Sequence, residues 1–239
     1  MQRLPVVGVD RGCRRVIAVA RISLTLASAS VAVLTMGCGD AGGDPGTVIA
    51  MPCVIDPTHY AEAVVSFEPG DGAGYGTDDL PGVVTGPPAA TPEGVGSLDV
   101  LSLGSGGAIT LAFAVPIVDG PGVDFIVYEN AFAIADSDDV FAELGAVGVS
   151  EDGVAFTWFS CDTDTTIGCA GKSPTLPHEP CALDELSLAA TGGDGFDLSS
   201  VGLDEVRFVR VEDVSLSGAS PSAGFDLDSV GVVNRSTSR

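Results

Sequence analysis

Between residues 63 and 233 the chain is a succession of short β-branched or alternating runs, each closed by glycine, proline or aspartate. No stretch repeats its apolar residues at helical spacing. The runs are AVVSF (63–67), LDVLSL (98–103), AITLAFAV (108–115), VDFIVYEN (123–130), LGAVGVS (144–150), VAFTWFS (154–160), DELSLAA (184–190), EVRFVRVE (205–212) and DLDSVGVV (226–233). Eight or nine such strands, in a chain with 32 glycines and 15 prolines to turn them, predict one all-β domain. The expected form is an antiparallel two-sheet β-sandwich of the jelly-roll type over residues 61–235.

Parity within the runs predicts which faces are buried. Ile109, Leu111 and Phe113 fall on one side of their run and Thr110 and Ala112 on the other, as in a strand with one face in the core. Asp152 and Gly153 suit a tight turn, so VSEDGVAF (149–156) reads as a hairpin in which Val147 and Val149 meet Val154, Phe156 and Trp158. That parity makes Trp158 a core residue and not a platform for a sugar ring.

Residues 1–37 read as a leader that is removed. Arg3, Arg11, Arg14, Arg15 and Arg21 precede an uncharged run, ISLTLASASVAVLTMG (22–37), which is the order of a secretory signal and is short for a membrane span. Its end, LTMGC (34–38), resembles a bacterial lipobox, with Gly37 before Cys38 and Thr35 where that pattern favours leucine. The resemblance implies that Cys38 is diacylated and anchors the mature chain to the cell envelope; an ordinary secretory cleavage nearby is the alternative. Gly39 stands where an aspartate would signal inner-membrane retention, which favours the outer membrane or cell surface. Residues 38–60 begin with the polar, glycine-rich GDAGGDPGTV (39–48) and read as a flexible tether.

The whole chain carries −23. Five of its ten basic residues and one of its 33 acids lie in residues 1–37, which leaves −27 on the remainder. A charge of that size repels phosphate backbones and anionic membrane surfaces, which argues against nucleic acid and leaves the lipid anchor as the route to a membrane. Divalent cations, basic partners and neutral ligands such as sugars remain, and most of the acids read as a solvated surface. Of the six cysteines, Cys13 leaves with the signal and Cys38 is the anchor, so Cys53, Cys161, Cys169 and Cys181 allow three pairings. CDTDTTIGC (161–169) lacks zinc-ligand spacing, so disulfides are expected: Cys161 with Cys169 across one loop and, by elimination, Cys53 with Cys181.

The order of VGVSEDGVAFTWF (147–159), EVRFVRVED (205–213) and GFDLDSVGVV (224–233) resembles the last half of galactose-binding-like jelly rolls, the discoidin domains and their relatives. The closing stretch is also similar to the final strand of calcium-containing carbohydrate-binding jelly rolls, and that likeness implies a structural calcium ligand at Asp228. SLGSGGAITLAF (102–113), PGVDFIVYENAF (121–132) and GFDLDSVGVVN (224–234) resemble bacterial cell-surface proteins and lipoproteins. Together these likenesses cover residues 62–234 and bear on fold more than on activity.

Two octets, GFDLSSVG (195–202) and GFDLDSVG (224–231), differ only where Ser199 is answered by Asp228. No neighbouring block repeats at the same offset, so they read as two local solutions and not as a duplicated module. The first leads toward the strand that begins near Glu205, and the second is itself strand. Asp226 and Asp228 share one side of an extended strand and offer hard oxygen ligands for Ca²⁺. Glu129 and Asn130, Asp71, and Asp78 with Asp79 are candidates for the other ligands, whereas DSDD (136–139) reads as a solvated loop. Backbone capping by Asp226 and Asp228 is the other reading, and both stand.

No catalytic signature is present. His59 and His178 are the two histidines, and the carboxylates fall mostly in turns where solvent holds them near their ordinary pKa, so the chain is expected not to be an enzyme. The expected function is a surface recognition module that binds carbohydrate or another envelope polymer through loops at one end of the sandwich, with calcium as a structural ion. Tyr75, between glycines and followed by Asp78 and Asp79, is the candidate sugar contact. The alternative is a structural envelope lipoprotein that contacts another surface protein and takes no small ligand.

Overall fold

Alternating apolar runs and frequent glycines give eleven strands among the described residues, which in this computed structural model are 55–89, 96–134, 139–177 and 186–236. The strands are β1 Ala63–Glu68, β2 Leu101–Ser102, β3 Ala108–Val118, β4 Phe125–Glu129, β5 Phe132–Ala133, β6 Val140–Phe141, β7 Gly145–Ser150, β8 Thr157–Trp158, β9 Asp194–Phe196, β10 Glu205–Asp213 and β11 Asp226–Val232. One sheet has the order β1-β3-β10-β7-β8 and the other β2-β11-β4-β9; β5 and β6 form a separate hairpin. Every pairing is antiparallel. The chain changes sheet at every step from β1 to β4 and again from β8 to β11, so the two sheets are interleaved along the sequence. The fold is the all-β sandwich that the strand count predicts.

Both inner faces supply the core. Ile109, Leu111 and Phe113 of β3 are buried as their parity requires, against Val147 and Val149 of β7, Val209 and Val211 of β10, and Leu227 and Val230 of β11. Phe125 and Phe196 stack at 5.3 Å, and Phe159 meets Phe196 edge-on at 4.9 Å. Each such side chain contributes about 1.5–3 kcal/mol on leaving water. The two octets plug this core alike: Phe196 and Leu198 in the first, Phe225 and Leu227 in the second. Their strands, β9 and β11, lie on either side of β4, with Gly195 and Gly231 both opposite Ile126. The first octet therefore begins in a strand of its own before Asp197 caps the 3-10 turn Leu198–Val201, whereas the sequence suggested only an approach to Glu205.

Three local expectations are corrected. DELSLAA was expected as strand; its described part is a helical turn, α1 Leu188–Thr191, capped by the Ser187 side chain. LDVLSL is strand only at Leu101–Ser102. In the β7–β8 hairpin, Asp152 accepts from the amides of Val154 and Ala155, which lengthens the turn beyond two residues. Gly148 then pairs with Trp158, so Trp158 projects on the face opposite Val147 and Val149 and is 40% exposed. A one-residue shift reverses every side chain of a strand; here it places Phe159 in the core and Trp158 in solvent.

The Cys161–Cys169 disulfide is present, with Cα atoms 4.5 Å apart. Cys38, Cys53, Cys181, His178 and most of DSDD lie outside the described residues. At the start of the described chain, Pro57–His59 forms a 3-10 turn, Tyr60 bridges to Gly231, and Arg235 pairs with Asp56 at 3.0 Å.

Candidate functional site

Three places concentrate chemistry. The first is a small pocket where the end of β4 meets the start of β11. Glu129 ends β4 opposite Leu227, and the β11 register shifts between Leu227 and Ser229, so Asp228 sits at a bulge. Glu129 and Asp228 are 2% and 4% exposed, and with Asn130, Thr175, Ala89 and Gly96 they line a cavity of about 10 Å³. Asp226 lies beside it, holding the Ser102 hydroxyl and the Asn130 side chain. Glu129, Asn130 and Asp228 thus line one pocket, and Asp226, outside that lining, is bonded to Asn130.

Burial dominates the electrostatics of this pocket. It pushes the Asp228 carboxyl up to about 8 and, with the charges of Asp226 and Glu143, raises Glu129 well above the carboxylate range. Glu143 rises to about 7, first through burial and then through Asp226 and Asp213. Burial also raises Asp226, against the hydrogen bonds from Ser102 and Asn130. Both Asp228 oxygens accept the Ala89 amide, at 3.1 and 3.0 Å. Asp228 therefore does hold backbone, but of a loop 139 residues away and not at its own strand start. Thr175 and Ala89 carry no sequence signal for this role, because only the tertiary fold brings them to β11.

The second place is the acidic triad Asp119, Asp124 and Asp197, whose oxygens lie within 4.8 Å of one another and could hold a metal ion. Asp124 is fully buried and accepts from the amides of Gly120 and Leu198 and from Asn234. Asp119 is raised by desolvation and then by the charges of Asp124, Asp197 and Asp204. None of these three is among the ligands expected from the sequence, which of the two octets favours only the second, yet Asp197 of the first belongs to this triad.

The third place is the outer face of the five-stranded sheet. Thr110, Arg210, Gly148 and Trp158 stand in one row across β3, β10, β7 and β8. A Cβ on Gly148 would lie 2.9 Å from the indole, so only glycine lets the Trp158 ring lie over β7. Phe156 flanks the indole at 6.4 Å. Arg210 makes a two-pronged bond to Glu68, both contacts at 2.9 Å, and donates to Glu212 at 2.8 Å. Strand parity corrected for the longer turn would have exposed this face in the sequence. The loop candidates are less open: the Tyr75 hydroxyl donates to the Leu98 carbonyl at 2.9 Å, while Asp71, Asp78 and Asp79 are exposed.

No family model matches the chain, and no curated protein does. Among solved structures, one titled "Glycoside hydrolase" matches 81% of this chain and 33% of its own length, at 9% identity and a TM-score of 0.29. The chain thus spans about a third of that structure. The expectation that the chain is not an enzyme is corrected. That expectation assumed solvated carboxylates, whereas Glu129, Glu143 and Asp228 are buried with raised pKa values. So weak a likeness assigns no activity to this chain.

Proposed function

We propose that this chain is a module of the bacterial cell envelope, lipid-anchored through Cys38, that binds carbohydrate on the outer face of its five-stranded sheet and uses calcium as a structural ion. The observation that carries this reading is the exposed indole of Trp158, seated over Gly148 beside the Arg210, Glu68 and Glu212 cluster. An aromatic face takes the apolar face of a pyranose, and fixed carboxylate and guanidinium groups address its hydroxyls. The strong negative charge favours a neutral polymer over an anionic one.

Retention on insoluble polysaccharides, measured with wild type and Trp158→Ala, tests it. The variant is expected to stay folded and to lose affinity by roughly thirtyfold, the effect of removing a central aromatic anchor. Wild type that is retained on no glycan, with or without calcium, ends this reading. For the anchor, palmitate labelling should mark the chain and Cys38→Ala should remove the mark; a mature N-terminus beyond Cys38 on protein free in the medium contradicts it.

The alternative is a structural envelope protein that contacts another surface protein and takes no small ligand. Crosslinking to one defined partner, with indifference to glycans, would support it.

A further inference from the structure

We infer that the glycan received on the outer sheet face is a flat, extended chain of neutral, equatorially linked pyranoses that lies across the strands, with alternate rings on Trp158 and Arg210. This substrate class rests on the sugar-binding reading proposed above.

The indole lies flat. A Cβ built on Gly148 would be 2.9 Å from both Cδ2 and Cε3 of Trp158 and 3.1 Å from Cε2. Three ring atoms at nearly equal distances put that point beneath the ring and not beside its edge. The ring therefore rests on β7 with its other face turned to solvent, in keeping with its exposure.

A second planar group occupies the same row. Arg210 stands between Gly148 and Thr110, and its side chain runs away from the indole, with Nη1 donating to Thr110 Oγ1 at 3.2 Å and to Glu68 Oε1 at 2.9 Å. Nη2 donates to the other Glu68 oxygen and Nε to Glu212, so the guanidinium plane is fixed on three sides. The head of Arg210 thus lies over β3 and the indole over β7, two strand spacings apart, or about 10 Å.

The surface around these two platforms is low. Ala146 and Ser150 flank Gly148 on β7, and Ala108 and Ala112 flank Thr110 on β3. On β10 Phe208 and Glu212 stand to either side of Arg210. A chain that crosses the strands passes between these two side chains and meets both platforms. One laid along β7 reaches the indole alone.

The spacing then selects the ligand. In an equatorially linked chain such as a β-1,4-glucan each ring is turned over relative to the last, so the chain stays flat and alternate rings come back to one side. Two such rings, separated by one more, match an indole and a guanidinium plane set two strands apart, each with its apolar face down. An α-1,4-linked chain curls, so its rings leave a flat surface after the first. The exposed carboxylates of Glu68 and Glu212 accept hydroxyls and repel acidic sugars, which makes the chain a neutral one.

Titration calorimetry tests this with β-1,4-linked oligosaccharides of glucose, xylose, mannose and N-acetylglucosamine, one to six rings long, and with α-1,4-linked glucose oligosaccharides of the same lengths. For the best-bound β-linked sugar, affinity should rise roughly tenfold between two rings and three, when the second platform is reached, and then level off. The α-linked series should bind at least about tenfold more weakly at three rings and beyond. Arg210→Lys keeps the charge but loses the plane and the two-pronged bond. It should lower three-ring affinity to that of two rings and leave two-ring affinity unchanged, whereas a residue that only braces the sheet would weaken both alike. Equal affinity for one ring and three, equal affinity for the two linkages, or equal losses at two and three rings in Arg210→Lys overturns the inference and leaves the sugar reading standing. Retention on an insoluble polysaccharide without binding of any β-1,4-linked series does the same. The length series is read on wild type, so it decides the matter even if the variant does not fold. Absence of binding to every oligosaccharide and polysaccharide ends both readings.

Discussion

Asp213→Ala should cost about 3–5 kcal/mol, lowering Tm by roughly 10 °C, more than any surface substitution on the sandwich. Asp213 closes β10 and is 4% exposed. One oxygen accepts from the Phe225 amide at 3.0 Å and the Ser215 hydroxyl at 2.6 Å; the other accepts from the Gly106 and Leu216 amides at 3.0 and 3.2 Å. One carboxylate thus fastens the turn before β3, the turn after β10 and the start of the second octet. Alanine leaves three backbone donors without their acceptor. Because a domain of this size has about 5–15 kcal/mol in total, the variant should unfold at markedly lower denaturant concentration with an unchanged m-value. A loss below about 1 kcal/mol in a urea titration would show that water replaces the carboxylate and that the three segments are held by packing.

The sandwich was legible wherever a run was long enough for parity to be unambiguous. In AITLAFAV alternation fixes which side chains face inward, and the structure buries Ile109, Leu111 and Phe113 accordingly, whereas in β10 a bulge between Val206 and Phe208 moves the buried side from Val206 to Val209 and Val211. VAFTWFS failed because its parity hangs on the turn before it: Asp152 captures two amides, and the extra length moves Trp158 outward. DELSLAA departs from strand because the Ser187 hydroxyl accepts the Ala190 amide, a local bond that competes with a strand.

The pocket was half legible. Glu129 and Asn130 end an apolar run and Asp226 and Asp228 begin one, so acids at strand ends could be grouped as possible ligands before their distances were known. Thr175 and Ala89 could not be found this way, nor could Asp119 and Asp124, whose approach to Asp197 depends on β4 and β9 lying side by side. Tyr75 looked free because its neighbours are glycines, yet its hydroxyl is committed to Leu98. The outer sheet face depends on the length of the turn after Ser150, which sets Trp158 opposite Gly148 and so outward.

In chelator, the protein should lose stability as pH rises from about 5 to about 8.5, opposite to the behaviour of a protein held by salt-bridged carboxylates. Asp228 is raised from 3.8 to about 8, Glu143 from 4.5 to about 7, and Glu129 well above 4.5. In this window the folded state keeps protons that the unfolded state has released, so the slope of unfolding free energy with pH is negative. The contribution is fully present below the unfolded values near pH 4 and is lost as pH passes the folded ones. Asp228 alone represents on the order of 5 kcal/mol. The groups facing these carboxyls, Asp226, Asp194, Asp213 and Asp99, are themselves acids and reinforce the trend. Groups with lowered values, Asp56 at about 2 with Glu68, Asp152 and Asp162, act the other way only at lower pH. Scanning calorimetry in chelator at stepped pH should show Tm falling across the window, and Asp228→Asn should flatten the fall. Excess calcium should flatten it too, because the cation takes the place of the protons. A Tm that climbs from pH 5 to 8.5 in chelator would mean that the pocket carboxylates are already ionised and compensated by something other than protons or calcium.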